Sequence, residues 1–397
     1  VDDADWDEVP GGWFAPLVAE SGEGLWADSP RLVDLLPWQQ PGCMWNRTWP
    51  IAPSEELLHE RWQRFVATSD VDDRALCYAT PRTGRNIFTS VAGLPRLADL
   101  PIGSPSPPIQ VHAYRSFDRQ LCFADPRLAK TESPSLWNSV SARQLFLVTL
   151  TARSLGAGPG AVVSTAVPER NSFTGSGGAS VMPLYRDVEG TPNADPRLLE
   201  VIGETLALNG PVAAEDLFAY IYGVLAGGDY TSRFSEELQT PGPRLPLTAD
   251  PQLFTEVSNF GKGLLWLHTY GERFAEGRGP LLVPSIVVEG ELTLPTKPSD
   301  IKYDADRRSL TLGAGEVSGV VPEVWAFEGS GMQVVKKWLG YRTAKGAGKA
   351  ASSRSPLDHI RPSAWPGEWT SELLELLSVL QRTLDLQPIG VGLLDRI

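Results

Sequence analysis

One stretch, from Glu215 to Phe274, restricts the fold of this chain more than any other. Leu217, Phe218, Ile221, Val224 and Leu225 recur at helical spacing, and Gly227-Gly228 supplies a stop. Asp229 is placed to cap a second helix carrying Tyr230, Phe234 and Leu238 on one stripe. Arg244-Leu-Pro-Leu-Thr248 is too proline-marked for a helix, and a third apolar helix is expected at about Phe254 to His268. The pattern predicts a buried helical hairpin, and nothing in it carries chemistry.

The rest of the 397 residues allows two or three domains with ample core. Its 34 prolines and 38 glycines predict many turns and short elements. No apolar run reaches the roughly 18 residues of a membrane span, so no membrane partner is expected. Cys43, Cys77 and Cys122 are widely spaced and odd in number, which favours reduced, buried thiols and a cytoplasmic protein over a disulfide framework. The chain begins at Val1 with no signal peptide, and is expected to be a processed or excised piece. The net charge of −13 argues against a protein that binds nucleic acid through bulk charge. One segment differs. Between Met332 and Arg361 stand Lys336, Lys337, Arg342, Lys345, Lys349, Arg354 and Arg361 against a single acid, Asp358. Such a segment fits either a local polyanion contact or a solvated loop.

Along the chain, Ser54 is expected to cap a helix with Leu57, Leu58, Trp62, Phe65 and Val66 on its apolar face. A proline-rich segment at 94–108 reads as a linker. Beyond it the period changes from 3.6 to 2: Ile109, Val111, Ala113, Leu121 and Phe123 alternate with polar residues. Further strands are expected at Leu145–Leu150, Ala161–Val167, Ile286–Val288, Leu310–Leu312 and Val317–Val321, and a closing helix at about Thr370 to Leu384. The expected divisions are a connector at 1–100, a strand-rich lobe at 101–195, a helical block at 196–280, and a strand-rich, basic and helical remainder at 281–397.

Most catalytic signatures fail. Near Gly348-Lys349, Thr343 and Ala350 occupy the positions where a phosphate-binding loop needs Gly and Ser/Thr. His59, His112, His268 and His359 share no ligand spacing, so no metal is expected. Ser106-Pro107-Pro108-Ile109 lacks the aromatic with which a DNA amino-methyltransferase stacks an extruded base. Asp300-Ile301-Lys302 alone does not make a nuclease. The string Ala113-Tyr-Arg-Ser-Phe-Asp-Arg-Gln120 is more suggestive. Arg115 and Arg119, four apart on a strand, would share a face beside aromatics and Asp118. Such forks suit guanine edges or phosphates, or an Arg–Asp brace within the sheet.

Four strings together resemble the C-terminal target-recognition region of single-polypeptide Type ISP restriction-modification enzymes, and more loosely Type IIG/IIL enzymes. They are Leu36-Pro-Trp-Gln with Arg47-Thr-Trp-Pro-Ile-Ala-Pro and Arg61-Trp62; Tyr114-Arg-Ser-Phe-Asp-Arg119 with Leu136-Trp137 and Ser141-Ala-Arg-Gln144; Asp216-Leu-Phe-Ala-Tyr-Ile221 through Arg244-Leu-Pro-Leu247 to Leu267-His268; and Glu323-Val-Trp325, Trp338-Leu339 and Tyr341-Arg342. Where the family has an Arg-Pro-Phe-Asp-like string, this chain has Arg115-Ser-Phe-Asp118.

The resemblance implies an α+β region with a strand-rich DNA-reading lobe and helical supports. It implies double-stranded DNA as partner, and a linked or partner N6-adenine methyltransferase with helicase and nuclease domains elsewhere. Catalysis and S-adenosylmethionine would belong to that methyltransferase, so neither a catalytic residue nor a cofactor is expected in this chain. Expected DNA contacts are Arg115 and Arg119 on the strand, and Lys336, Lys337, Arg342, Lys345 and Lys349 on the basic segment, the latter mainly gripping phosphates. The rival expectation is an adaptor of the same fold that recruits other defence proteins without a specific DNA site.

Overall fold

The computed structural model describes residues 24–79, 85–173, 178–329, 331–345 and 355–397. Its architecture is mixed α+β, with helices packed beside separate antiparallel sheets.

The expected helical hairpin forms from helices Ala214–Leu225 and Pro251–His268. Asp250 caps the second by accepting from the Gln252 and Leu253 amides, worth about 1 kcal/mol. The two backbones approach closely at Gly223 and Gly261. A Cβ on Gly261 would overlap the Ala219 carbonyl, so glycine is required there for space. Between them, Gly227 rather than Asp229 caps the short helix Gly228–Arg233, and Tyr230, Phe234 and Leu238 are all buried. The closing helix runs Gly367–Arg396, twelve residues past its expected end, and continues through Pro388. It locks onto the hairpin through His268, whose Nδ1 lies 2.5 Å from the Tyr222 hydroxyl and whose Nε2 lies 2.8 Å from Thr383 Oγ1.

Two sheets cross the segment expected as a linker. Ile51–Ala52 pairs with Asp118–Phe123, which pairs with Ile109–Arg115. Gln40–Pro41 pairs with Ser180–Pro183, which continues to Phe146–Thr149 and Val162–Ser164. Part of the 94–108 segment is itself pinned: Arg74 donates to the Leu97, Ala98 and Leu100 carbonyls, and Trp62 to Ser104. A third sheet orders Val287–Glu289, Gly315–Ser318, Ser309–Leu312 and Lys302–Asp304.

The helix Glu55–Ala67 buries the five apolar residues expected, together with Arg61. Arg61 donates to the Trp49, Ile51 and Ile360 carbonyls, and Arg47 to those of Trp45, Tyr78, Arg85 and Leu128. Both guanidinia thus act as internal braces, because a five-donor fork can satisfy several loop carbonyls at once. The three cysteines are buried and unpaired, and burial pushes the Cys43 thiol up to about 12.

Candidate nucleic-acid interface

The string holding Arg115 and Arg119 is a hairpin tip, not one strand. Ile109–Arg115 turns at Ser116-Phe117, with Phe117 at φ 60°, into Asp118–Phe123. The expected alternation also fails midway: Val111 is 50% exposed while His112 is fully buried between Trp45 and Trp137. Aromatic side chains cover the face that periodicity assigned to solvent.

Both arginines are engaged within the fold. Arg115, with 15% of its side chain exposed, donates from Nε to the Tyr341 hydroxyl (3.2 Å) and from Nη1 to Glu169 (3.2 Å) and the Tyr114 carbonyl (2.7 Å). Burial works against its charge, but Tyr114, Tyr341 and Glu169 more than offset it and hold the guanidinium above its ordinary range. Arg119 is 31% exposed; it lies 4.0 Å over the Tyr270 ring and reaches Glu272 at 2.7 Å and Glu375 at 3.5 Å. Arg342 corrects the sequence expectation outright. It is fully buried, 3.6 Å over Trp338, and donates to Asp118 (3.0 Å) and Glu372 (3.3 Å). A phosphate cannot reach it without opening the core. Of the two readings of the arginine pattern, the geometry favours the brace.

The lysines behave differently. The helix Val334–Tyr341 buries Val334, Val335, Trp338 and Leu339, which leaves Lys336 and Lys337 exposed. After it, the Ala344 and Lys345 amides donate to the Pro295 and Thr296 carbonyls, setting exposed Lys345 beside exposed Lys297. Lys336 Nζ lies 5.1 Å from the centre of the Trp325 ring, which stacks on Tyr303 at 5.1 Å and 18°. Lys302 precedes Tyr303 on its strand and is exposed. Lys297, Lys302, Tyr303 and Trp325 are members of this face that the sequence reading missed; the neighbouring pair Lys302-Tyr303 is the one local signal, and the rest come together only in the fold. Asp300, Asp304 and Glu323 lie on the same segments, so the face is mixed in sign. Lys349 lies outside the described residues.

The hairpin and the lysine segment meet through Arg115–Tyr341 and Asp118–Arg342. Beside this contact opens a cleft of mixed lining, including Tyr114, Gln120, Tyr341, Lys345, Asp358 and Arg361. Arg361 donates to the Tyr341 and Thr343 carbonyls and so holds the end of the lysine helix. Asp300 accepts from the Lys297 amide and caps its own short turn. Among the described residues no helix is long and apolar enough to cross a membrane.

Fold and surface define a mixed α+β chain in which an internally braced hairpin adjoins an outward lysine–aromatic face. The chain belongs to the Type ISP C-terminal specificity domain family, whose model matches residues 34–376. Comparison with curated proteins gives no match. Among solved structures it is similar to a nuclease-deletion mutant of the Type ISP restriction-modification enzyme LlaGI in complex with a DNA substrate mimic, at 16% identity and TM-score 0.63, over 97% of this chain and 30% of that one. It is also similar to DrdV in a DNA complex (15%, 0.65, over 100% and 40%) and to the ATP-dependent Type ISP enzyme LlaBIII bound to DNA (14%, 0.62, over 93% and 24%). The chain thus spans less than half the length of each of these proteins.

Proposed function

We propose that this chain selects the duplex DNA target of a restriction-modification system and holds it for an adenine methyltransferase outside the residues described, on the same polypeptide or a partner. Membership of the specificity-domain family over residues 34–376 is the observation that carries this reading. The three similar proteins named above were each solved with DNA or a DNA substrate mimic, which supports carrying DNA over to this chain as its ligand. S-adenosylmethionine would be bound by the methyltransferase.

Within the chain, Lys336, Lys337 and Lys345, joined by Lys297 and Lys302, are the groups proposed to grip phosphates. They are exposed, and lysine serves as a mobile point charge for an anion. Of the two hairpin arginines, Arg119 has the greater surface reach and is the candidate for a base edge, in exchange for Glu272 and Glu375. An acidic body with a local basic face should bind weakly alone, and strongly only at low salt.

The test is selection of bound duplexes from a randomised pool at low salt with the pure chain. Enrichment of one asymmetric site supports target selection. Retention without sequence preference, with a log-affinity slope near zero against log salt, would overturn it and favour the adaptor.

A further inference from the structure

A second cleft, of about 260 Å³, opens at the end of the hairpin away from its turn. That volume lies just below the roughly 300–1,000 Å³ of sites for drug-sized ligands, so it suits a single small ring system. Trp45, Phe123 and Trp137 supply its aromatic walls and Glu132 and Asn138 its polar rim, while buried Asp125 has both oxygens taken by Arg127. The two indoles differ. Trp137 donates its N–H to Cys43 Sγ at 2.9 Å, whereas Trp45, only 3% exposed, has an N–H with no acceptor among the described residues. Leaving a buried donor unmade costs roughly 1–3 kcal/mol. Behind Trp45, at 4.6 Å and edge-on, lies the fully buried His112 ring, whose pKa burial depresses to about 3. The wall is therefore neutral at ordinary pH. The carboxylates are already charge-matched, Asp125 by Arg127 and Glu132 by Arg85, so the cleft does not select for a free cation.

Flat apolar walls, one unsatisfied buried donor, and rim acceptors match a planar heterocycle that presents a ring nitrogen or carbonyl beside an amino group. We propose that this cleft is a nucleobase-binding site. Bases stack on aromatic side chains irrespective of sequence, and carboxylates and amides read their amino edges. The base could come from a free nucleoside or from an extrahelical position in bound duplex. The second source rests on the DNA reading above. The six residue steps from Ile109 to Arg115 separate the cleft from the lysine contact by roughly 20 Å, about six base-pair steps at 3.4 Å each.

Two arms test the site and separate its sources, both using the full chain. The first titrates adenosine, guanosine, cytidine and thymidine by calorimetry. The second moves 2-aminopurine through successive positions of a duplex that the chain binds, and reads its fluorescence. Trp45→Phe removes the N–H and keeps an aromatic ring, and should weaken nucleoside binding roughly fivefold to tenfold. Asn138→Trp, at an exposed rim position, should occlude the cleft without touching the core. Nucleoside binding abolished by Asn138→Trp establishes the site. A fluorescence change at one duplex position, lost in the same variant, assigns an extrahelical base; a silent duplex assigns free nucleosides. Duplex binding with no nucleoside binding and no position-specific signal overturns the proposal. If no duplex binds, the DNA reading fails, and the nucleoside titration alone decides this cleft.

Discussion

The hairpin and the helix Val334–Tyr341 adjoin each other and carry similar numbers of cations, yet they use them in opposite ways. On the hairpin, Arg115 and Arg119 meet Glu169, Glu272 and Glu375 and lie over tyrosine rings. On the helix, Lys336 and Lys337 stand in solvent while Arg342, one residue past its end, is swallowed. Arginine's planar, weakly hydrated fork suits buried stacking and bidentate pairing; the ammonium of lysine resists losing its water. Residue type sorted these cations into braces and free charges more faithfully than their density along the chain.

Arg342 is where this contrast should break most visibly. Its guanidinium and the Asp118 carboxylate are 0% and 2% exposed. Arg342→Met leaves Asp118 buried without its partner, and should cost about 3–5 kcal/mol in urea unfolding. A loss below about 1 kcal/mol would mean that packing and the Arg115–Tyr341 hydrogen bond join the hairpin to the lysine helix without help from the buried pair.

The next effect is one of pH. Burial holds His112 at about 3 in the fold, against about 6.5 when unfolded. The unfolded chain therefore binds the extra proton between those values, so this stability is present above pH 6.5 and is lost as pH falls toward 3. Replacing His112 by Phe should remove about 1.4 kcal/mol per pH unit from the acid slope between pH 6 and 4. Parallel slopes for the two proteins would show that water reaches the ring between Trp45 and Trp137.

Much of the fold was legible where one period ran long. The helices Ala214–Leu225 and Pro251–His268, and the apolar face of Glu55–Ala67, follow directly from 3.6-residue spacing. The hairpin tip was hidden because Ser116-Phe117 carries neither the Gly nor the Asn of a tight two-residue hairpin turn, and Phe117 takes a positive φ that a bulky side chain seldom adopts. The closing helix was cut short because proline usually ends a helix, whereas Pro388 lies inside one. For the site, sequence found the lysine segment but could not separate Arg342 from its neighbours. Its acceptor Asp118 lies more than two hundred residues away in the chain. Lys297 was invisible for the same reason, since hydrogen bonds from the Ala344 and Lys345 amides bring that loop alongside from a distant part of the chain.

The exposed side of the comparison predicts a change in binding with little change in fold. Lys336, Lys337 and Lys345 replaced together by Gln should move stability by only a few tenths of a kcal/mol each. If each grips one phosphate, the slope of log affinity against log salt should become shallower by about 2.7. An unchanged slope would remove the lysine face from the interface.

Arg119 tests the boundary between the two behaviours, and its stability effect should be small. Glu272 and Glu375 are 40% and 36% exposed, so each pair is largely screened and Arg119→Gln should cost only about 0.2–1 kcal/mol. Its consequence for recognition should be qualitatively different from that of the lysines. A side chain reading a base edge discriminates by roughly 1–3 kcal/mol at one position, whereas a phosphate contact weakens all sequences alike. Selection with Arg119→Gln should therefore relax one position of the enriched site and leave the salt slope nearly unchanged. Should the site stay sharp while the slope falls by about 0.9, Arg119 belongs with the lysines. An unchanged site and slope would place it wholly with Arg115, as a brace.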